Sequence, residues 1–150
     1  MTSETAQHDS TRRERRRQET LDDITATART LLVRDGAVGV TLRAIARELG
    51  MTAPALYRYF DSHEAVVTAL AAELYDELVD EMLQARDAAG ASVGARLMAV
   101  TRAFRAWALT NRAEFGLVFA NPITDITGPA GDVCEAAGHR FGRVFGELFD

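Results

Sequence analysis

Apolar residues recur at helical spacing along most of this chain, and no segment alternates with the period of a strand. From Gln18, the positions Leu21, Ile24, Ala28, Leu31 and Leu32 line one face of a helix that opens with Asp22 and Asp23 near its positive end. The pattern stops at Asp35-Gly36, where glycine can take the left-handed conformation that follows a helix. A second helix starts at the N-cap Thr41 and carries Leu42, Ile45, Ala46 and Leu49 before Gly50 ends it. A third opens at Thr52 or Ala53 with Pro54 in its first turn, and Leu56, Tyr57 and Phe60 carry it to Asp61. Asp61 and Glu64 stand at capping-box spacing and start a long helix to about Ala89. Its buried stripe is Val67, Leu70, Leu74, Leu78 and Met82, and its acidic, solvated face is Glu73, Asp76, Glu77, Asp80 and Glu81. Ser92 caps a fifth helix with Val93, Leu97, Val100, Phe104 and Trp107. A short apolar segment, Phe115 to Ala120, precedes a loop from Asn121 to Gly131. The last helix runs from about Asp132 with Val133, Ala137, Phe141, Val144, Phe145 and Leu148 on one face. The expected fold class is all-α.

The stretch Thr41 to Phe60, TLRAIARELGMTAPALYRYF, carries the chemistry. Two short helices joined through a glycine, behind an apolar helix, have the layout of a helix-turn-helix. Ala46 is small where the two helices must approach, and Gly50 lets the chain reverse in one turn. Ile45, Leu49, Leu56 and Phe60 would hold the pair against the helix of Leu21, Ile24 and Leu31. The second helix can then enter a major groove about 12 Å wide. Its outward residues are Thr52, Ala53, Ala55, Tyr57, Arg58 and Tyr59. The alanines suit a thymine methyl, the tyrosine hydroxyls suit phosphate, and Arg58 suits phosphate or guanine. Thr41 and Arg43, at a helix N-terminus, suit phosphate.

Charge changes the picture. The 150-residue chain has a formal net charge of −5, which argues against a nucleic-acid partner. Residues 1–60, however, carry ten arginines and eight acids, a balance of +2. Residues 61–150 carry seven arginines and fourteen acids, a balance of −7. Residues 1–17 lack apolar periodicity and hold Arg12, Arg13, Arg15, Arg16 and Arg17, so they read as a flexible basic arm, either a solvated tail without a role or one that can follow the DNA backbone or enter a minor groove.

The single cysteine, Cys134, excludes an internal disulfide framework and a Cys-rich metal site, and reads as a small buried apolar residue. No apolar run reaches the roughly 20 residues of a membrane helix, and the polar N-terminus is no secretory signal. These features place the protein in the cytoplasm, away from membranes. No phosphate loop, carboxylate pair, nucleophile triad or metal-ligand spacing stands out, so the expectation is no enzyme, no metal and no cofactor. Met98, Phe104, Trp107, Phe115 and Phe119 are candidates to line a small-molecule pocket, with plain core packing as the alternative.

Residues 18–78 resemble the N-terminal domain of the TetR family of transcriptional regulators. The resemblance rests on Ala28, Leu31, Gly36, Thr41, Ile45-Ala46, Leu49-Gly50-Met51-Thr52, Leu56-Tyr57, Tyr59-Phe60, Ser62 and Glu64. His63 stands where the family usually has a lysine that grips phosphate, so a neutral hydrogen-bond donor replaces an ionic contact. The family's common glycine in the recognition helix is here Pro54. Phe104 to Ala108 and Phe115 to Pro122 resemble, less specifically, a TetR-like regulatory domain.

The resemblance implies a flexible arm (1–17), a helix-turn-helix DNA-binding domain (18–78, motif 41–60) and a helical ligand-binding and dimerisation domain (79–150). It implies a repressor that binds a palindromic operator as a homodimer and is released by a small apolar or aromatic effector. Family members usually continue beyond the position of Asp150, which reads the regulatory domain as shortened or its dimer as built from other surfaces. Two rival readings are a DNA-binding protein without an effector and an all-α protein-interaction module.

Overall fold

A computed structural model describes residues 2–120 and 129–146, with side chains from 11–119, 135, 136 and 138–146. Among the described residues the regular elements are all helical. They are α1 (Thr2–Asp35), a 3-10 turn (Ala37–Gly39), α2 (Leu42–Glu48), α3 (Ala53–Leu56), α4 (His63–Ala88), α5 (Val93–Thr110), α6 (Arg112–Phe115), a π-helical turn (Gly116–Ala120) and α7 (Pro129–Gly146). The all-α expectation is met. No helix among the described residues is long and apolar enough to cross a membrane. The chain divides into two compact units, Met1–Val66 and Val67–Asp150, inside α4 rather than after residue 78.

In the first unit, Ile24, Ala28, Leu31 and Leu32 of α1 are buried with Ile45 and Ala46 of α2 and Leu56 of α3. That face is the one the apolar spacing predicts. The helix itself is longer than expected: residues 2–17 are helical and continuous with it, so the arm is not a flexible tail. The physical reason is that Arg, Glu and Gln are good helix formers without any apolar stripe, and a helix already nucleated by a packed segment extends at one hydrogen bond per residue.

The connections follow from backbone chemistry. Gly36 ends α1 at φ +75° and ψ −179°, a region essentially restricted to glycine but not the left-handed helical one expected. Gly39 has a different constraint: a Cβ there would lie 2.3 Å from Asp35 Cβ. The side chain of Arg34 bonds Asp35 at 3.0 Å and reaches Glu48 at the end of α2 at 3.2 Å. The Arg34 guanidinium thereby holds the Asp35 carboxyl below its ordinary value.

Other boundaries move slightly. Ser62 rather than Asp61 caps α4, its hydroxyl accepting from Ala65 N–H at 3.1 Å. The buried stripe of α4 includes Leu70, Leu74, Leu78 and Met82 as expected, with Val66 in place of Val67. Ser92 caps α5 through Ala95 N–H at 3.1 Å, yet Val93 and Leu97 are exposed and Val100 and Trp107 are buried. Helix α7 starts at Pro129, earlier than Asp132, because proline is well accommodated in a first helical turn. Residues 121–128 of the expected loop, the side chains of Val133, Cys134 and Ala137, and Leu148 lie outside the described residues.

In the second unit, Tyr75, Phe104, Phe115, Phe119, Phe141 and Phe145 join by ring contacts with centroids 4.8–6.3 Å apart. The indole N–H of buried Trp107 donates to Glu77 Oε1 at 2.9 Å, which takes Glu77 out of the solvated acidic face.

The Gly39 contact gives a direct test. Gly39→Ala should lower the stability of the first unit by about 1–3 kcal/mol, through forced displacement of the α1 terminus. Urea denaturation followed by circular dichroism reads this as a lower midpoint, and an unchanged midpoint would contradict the close approach.

Candidate nucleic-acid interface

The site is built around the reversal between α2 and α3. Gly50, at φ +63°, donates its N–H to Arg47 O at 3.2 Å, and Met51 donates to Ala46 O at 2.8 Å. This is the paired 5→2 and 6→1 closure of a Schellman motif, and it satisfies carbonyls that the end of α2 would otherwise leave bare. Two residues later Thr52 opens α3, its hydroxyl oxygen accepting from Ala55 N–H at 3.3 Å. Thr52, and not Ala53, is therefore the cap. Thr41 does the same for α2 through Ala44 N–H at 3.1 Å. In both threonines the oxygen is occupied as acceptor, which leaves each hydroxyl hydrogen to donate outward.

Helix α3 is shorter than expected. After Leu56 the bonding tightens to Arg58 N–H with Ala55 O and Tyr59 N–H with Leu56 O, so Tyr57 to Tyr59 form a turn rather than a further helical turn. The outward residues keep their place. Thr41, Arg43, Thr52, Ala53 and Arg58 are exposed, Tyr57 is 54% exposed, and Ala55 and Tyr59 are half-buried. Buried Ile45, Ala46 and Leu56 anchor the opposite faces of both helices. Small and polar groups thus stand outward on a rigid support, which suits close approach to a grooved, charged surface.

Besides the two capping threonines, Tyr59 and His63 among the expected contact residues have partners within the protein. The Arg17 guanidinium lies over the ring of Tyr59, 5.4 Å from the ring centroid. His63, itself exposed, bonds the backbone across the domain: its Nε2–H donates to the Val40 carbonyl at 2.7 Å, with Nδ1 at 4.0 Å from Glu64. This bond ties the first turn of α4 to the residue before the α2 cap. Sequence spacing carries no signal for it, because Val40 and His63 lie 23 positions apart.

The expected small-molecule residues divide. Met98 is 51% exposed, Trp107 is buried against Glu77, and Phe104, Phe115 and Phe119 pack on one another. A cavity of about 190 Å³ opens elsewhere in the second unit. Val79, Leu83 and Arg86 of α4 and Arg140, Arg143 and Val144 of α7 line it. Arg140 also pairs with Asp76 at 2.9 Å. No residue of the apolar stripe read for α4 lines this cavity, and the convergence of its arginines depends on how α7 packs. Among the described residues no group of three or more His, Cys, Asp or Glu could hold a metal ion.

Residues 24–70 match the family described as bacterial regulatory proteins, tetR family. The chain is 38% identical over 120 residues to HTH-type transcriptional regulators of Mycobacterium bovis and Mycobacterium tuberculosis. Each match covers 79% of this chain and 50% of the relative, so the chain spans about half their length. The fold is also similar to the crystal structure of the candidate regulatory protein SCO4313, with a TM-score of 0.68 and 32% identity over 85% of this chain and 60% of that one. The two mycobacterial relatives are named as regulators, not as enzymes.

His63→Ala removes the bond to Val40 and should cost about 0.5–1.5 kcal/mol in denaturant unfolding. His63→Gln, which can still donate from a side-chain amide, should recover part of that loss. Equal stability of wild type and His63→Ala would show that the bond contributes nothing.

Proposed function

We propose that the chain is a member of the TetR family of bacterial regulatory proteins, a one-component transcriptional regulator binding a palindromic DNA operator as a homodimer; the match of residues 24–70 to that family and the likeness to the mycobacterial regulators support this. The observation that carries this reading is the α2–α3 pair, with Ile45, Ala46 and Leu56 buried behind it and Arg43, Thr52, Ala53, Tyr57 and Arg58 exposed in front. In the proposed complex, Thr41 and Arg43 hold phosphate, while Thr52, Ala53, Ala55, Tyr57 and Arg58 face base edges in the major groove. Tyr59 reaches phosphate through its hydroxyl. His63 positions the start of α2 through its bond to the Val40 carbonyl. So few contacts per copy favour two copies acting together, with half-sites one helical turn apart. In this proposal the protein is a cytoplasmic repressor whose occupied operator is closed to other proteins.

Release by a small molecule is part of the same proposal. The cavity between α4 and α7 supports it, and its lining of Val79, Leu83, Val144 and three arginines suits a small apolar ligand with an anionic group. Helix α4 runs without a break from His63 to Ala88, so a ligand that prefers one setting of its distal half can bias its first turn.

Two substitutions test the DNA assignment. Arg43→Ala should weaken binding to all duplexes and reduce the slope of log K against log salt by about one unit. A slope equal to wild type would remove its phosphate role. Tyr57→Ala should cost about 1–3 kcal/mol on the preferred duplex, and full retention of that affinity would contradict the recognition-helix assignment.

A further inference from the structure

The N-terminal part of α1 is a basic helix locked beside the recognition turn. Arg12, Arg13, Arg16 and Arg17 fall within about 140° of arc at 3.6 residues per turn, so they share one face. That face is located by Arg17, whose guanidinium covers the Tyr59 ring at 5.4 Å. All four arginines are exposed. The same helix carries Ile24, Ala28, Leu31 and Leu32 into the core, so the backbone of Arg12 to Arg17 is continuous with packed structure.

We propose that Arg12, Arg13 and Arg16 form a rigid phosphate-binding ridge, set in register with the recognition turn by the Arg17–Tyr59 stack. The proposal rests on the DNA-binding reading and deepens it. Helicity decides what the ridge can read. An α-helix with its side chains is about 10–12 Å across, whereas the minor groove is about 6 Å wide. The segment therefore lies along the sugar-phosphate backbone beside the half-site and does not enter the minor groove. From Arg12 to Arg17 the helix advances about 7.5 Å, a reach of two to three phosphates at roughly 3.4 Å of axis per phosphate on one strand. The contact adds affinity and salt dependence without adding sequence preference.

The test uses the full chain and two fluorescein-labelled 40-base-pair duplexes, one A·T-rich and one G·C-rich, titrated by anisotropy over a range of KCl concentrations. The triple variant R12Q/R13Q/R16Q should lower the log–log salt slope by about 2–3 units, equally on both duplexes. The variant R102Q/R105Q/R112Q removes three exposed arginines of the second unit and should leave the slope unchanged. Thermal melts matching wild type show that the ridge variant is folded. An unchanged slope in the ridge variant overturns the proposal. So does a loss confined to the A·T-rich duplex, which would mark a minor-groove arm, or an equal loss in the control, which would mark general charge. If wild type binds neither duplex in a salt-dependent way, the DNA-binding reading itself fails.

Discussion

The reversal at Gly50 is the constraint on which the first unit depends. A positive φ there lets the Gly50 and Met51 N–H groups close back onto the last turn of α2, and the next helix can begin at Thr52. A residue with a Cβ would be strained in that conformation, and the short connection would lengthen. Because the turn is tight, Ile45, Ala46 and Leu56 are buried together, and the opposite sides of α2 and α3 are left outward. The exposed alanines and threonines follow from this arrangement: a surface that must approach another closely carries small groups and short donors.

Around that turn, three contacts tie the short helices and their ends to longer ones. Arg34 links the end of α1 to Glu48, His63 links α4 to Val40, and Arg17 stacks on Tyr59 after α3. None of these is strong by itself, since exposed ion pairs are screened by water and a single hydrogen bond replaces one made to water. Their value lies in position, because each holds one end of a short element that has little helical stability of its own. The charge balance reads differently in this light. The net −5 is an average over a first segment that bears the arginine-rich helix and a second that is acidic along α4.

Much of this was legible in the sequence, because caps and apolar periodicity are local signals. Thr41, Thr52, Ser92, Gly36 and Gly50 mark their boundaries correctly, and the α1 and α2 faces appear as spaced. What was not legible depends on distance or on propensity. Residues 2–17 have no apolar stripe, so periodicity is silent about a helix that propensity and continuity with α1 build. The His63–Val40 bond and the Gly39–Asp35 approach need the three-dimensional path of the chain. The candidate pocket residues are Met98 and four aromatic positions at helical spacing, of which Phe104, Phe115 and Phe119 pack on one another. Their rings largely satisfy one another, while the cavity is bounded by arginines whose spacing on α4 and α7 resembles ordinary surface charge.

The functional account comes down to whether two copies of one rigid, weakly charged reading head recognise a symmetric duplex. Selection of bound duplexes from a random pool by the purified protein measures this most directly. The account predicts enrichment of a palindrome whose half-sites lie about one helical turn, 34–36 Å, apart. A pool that emerges without any enriched sequence would contradict it.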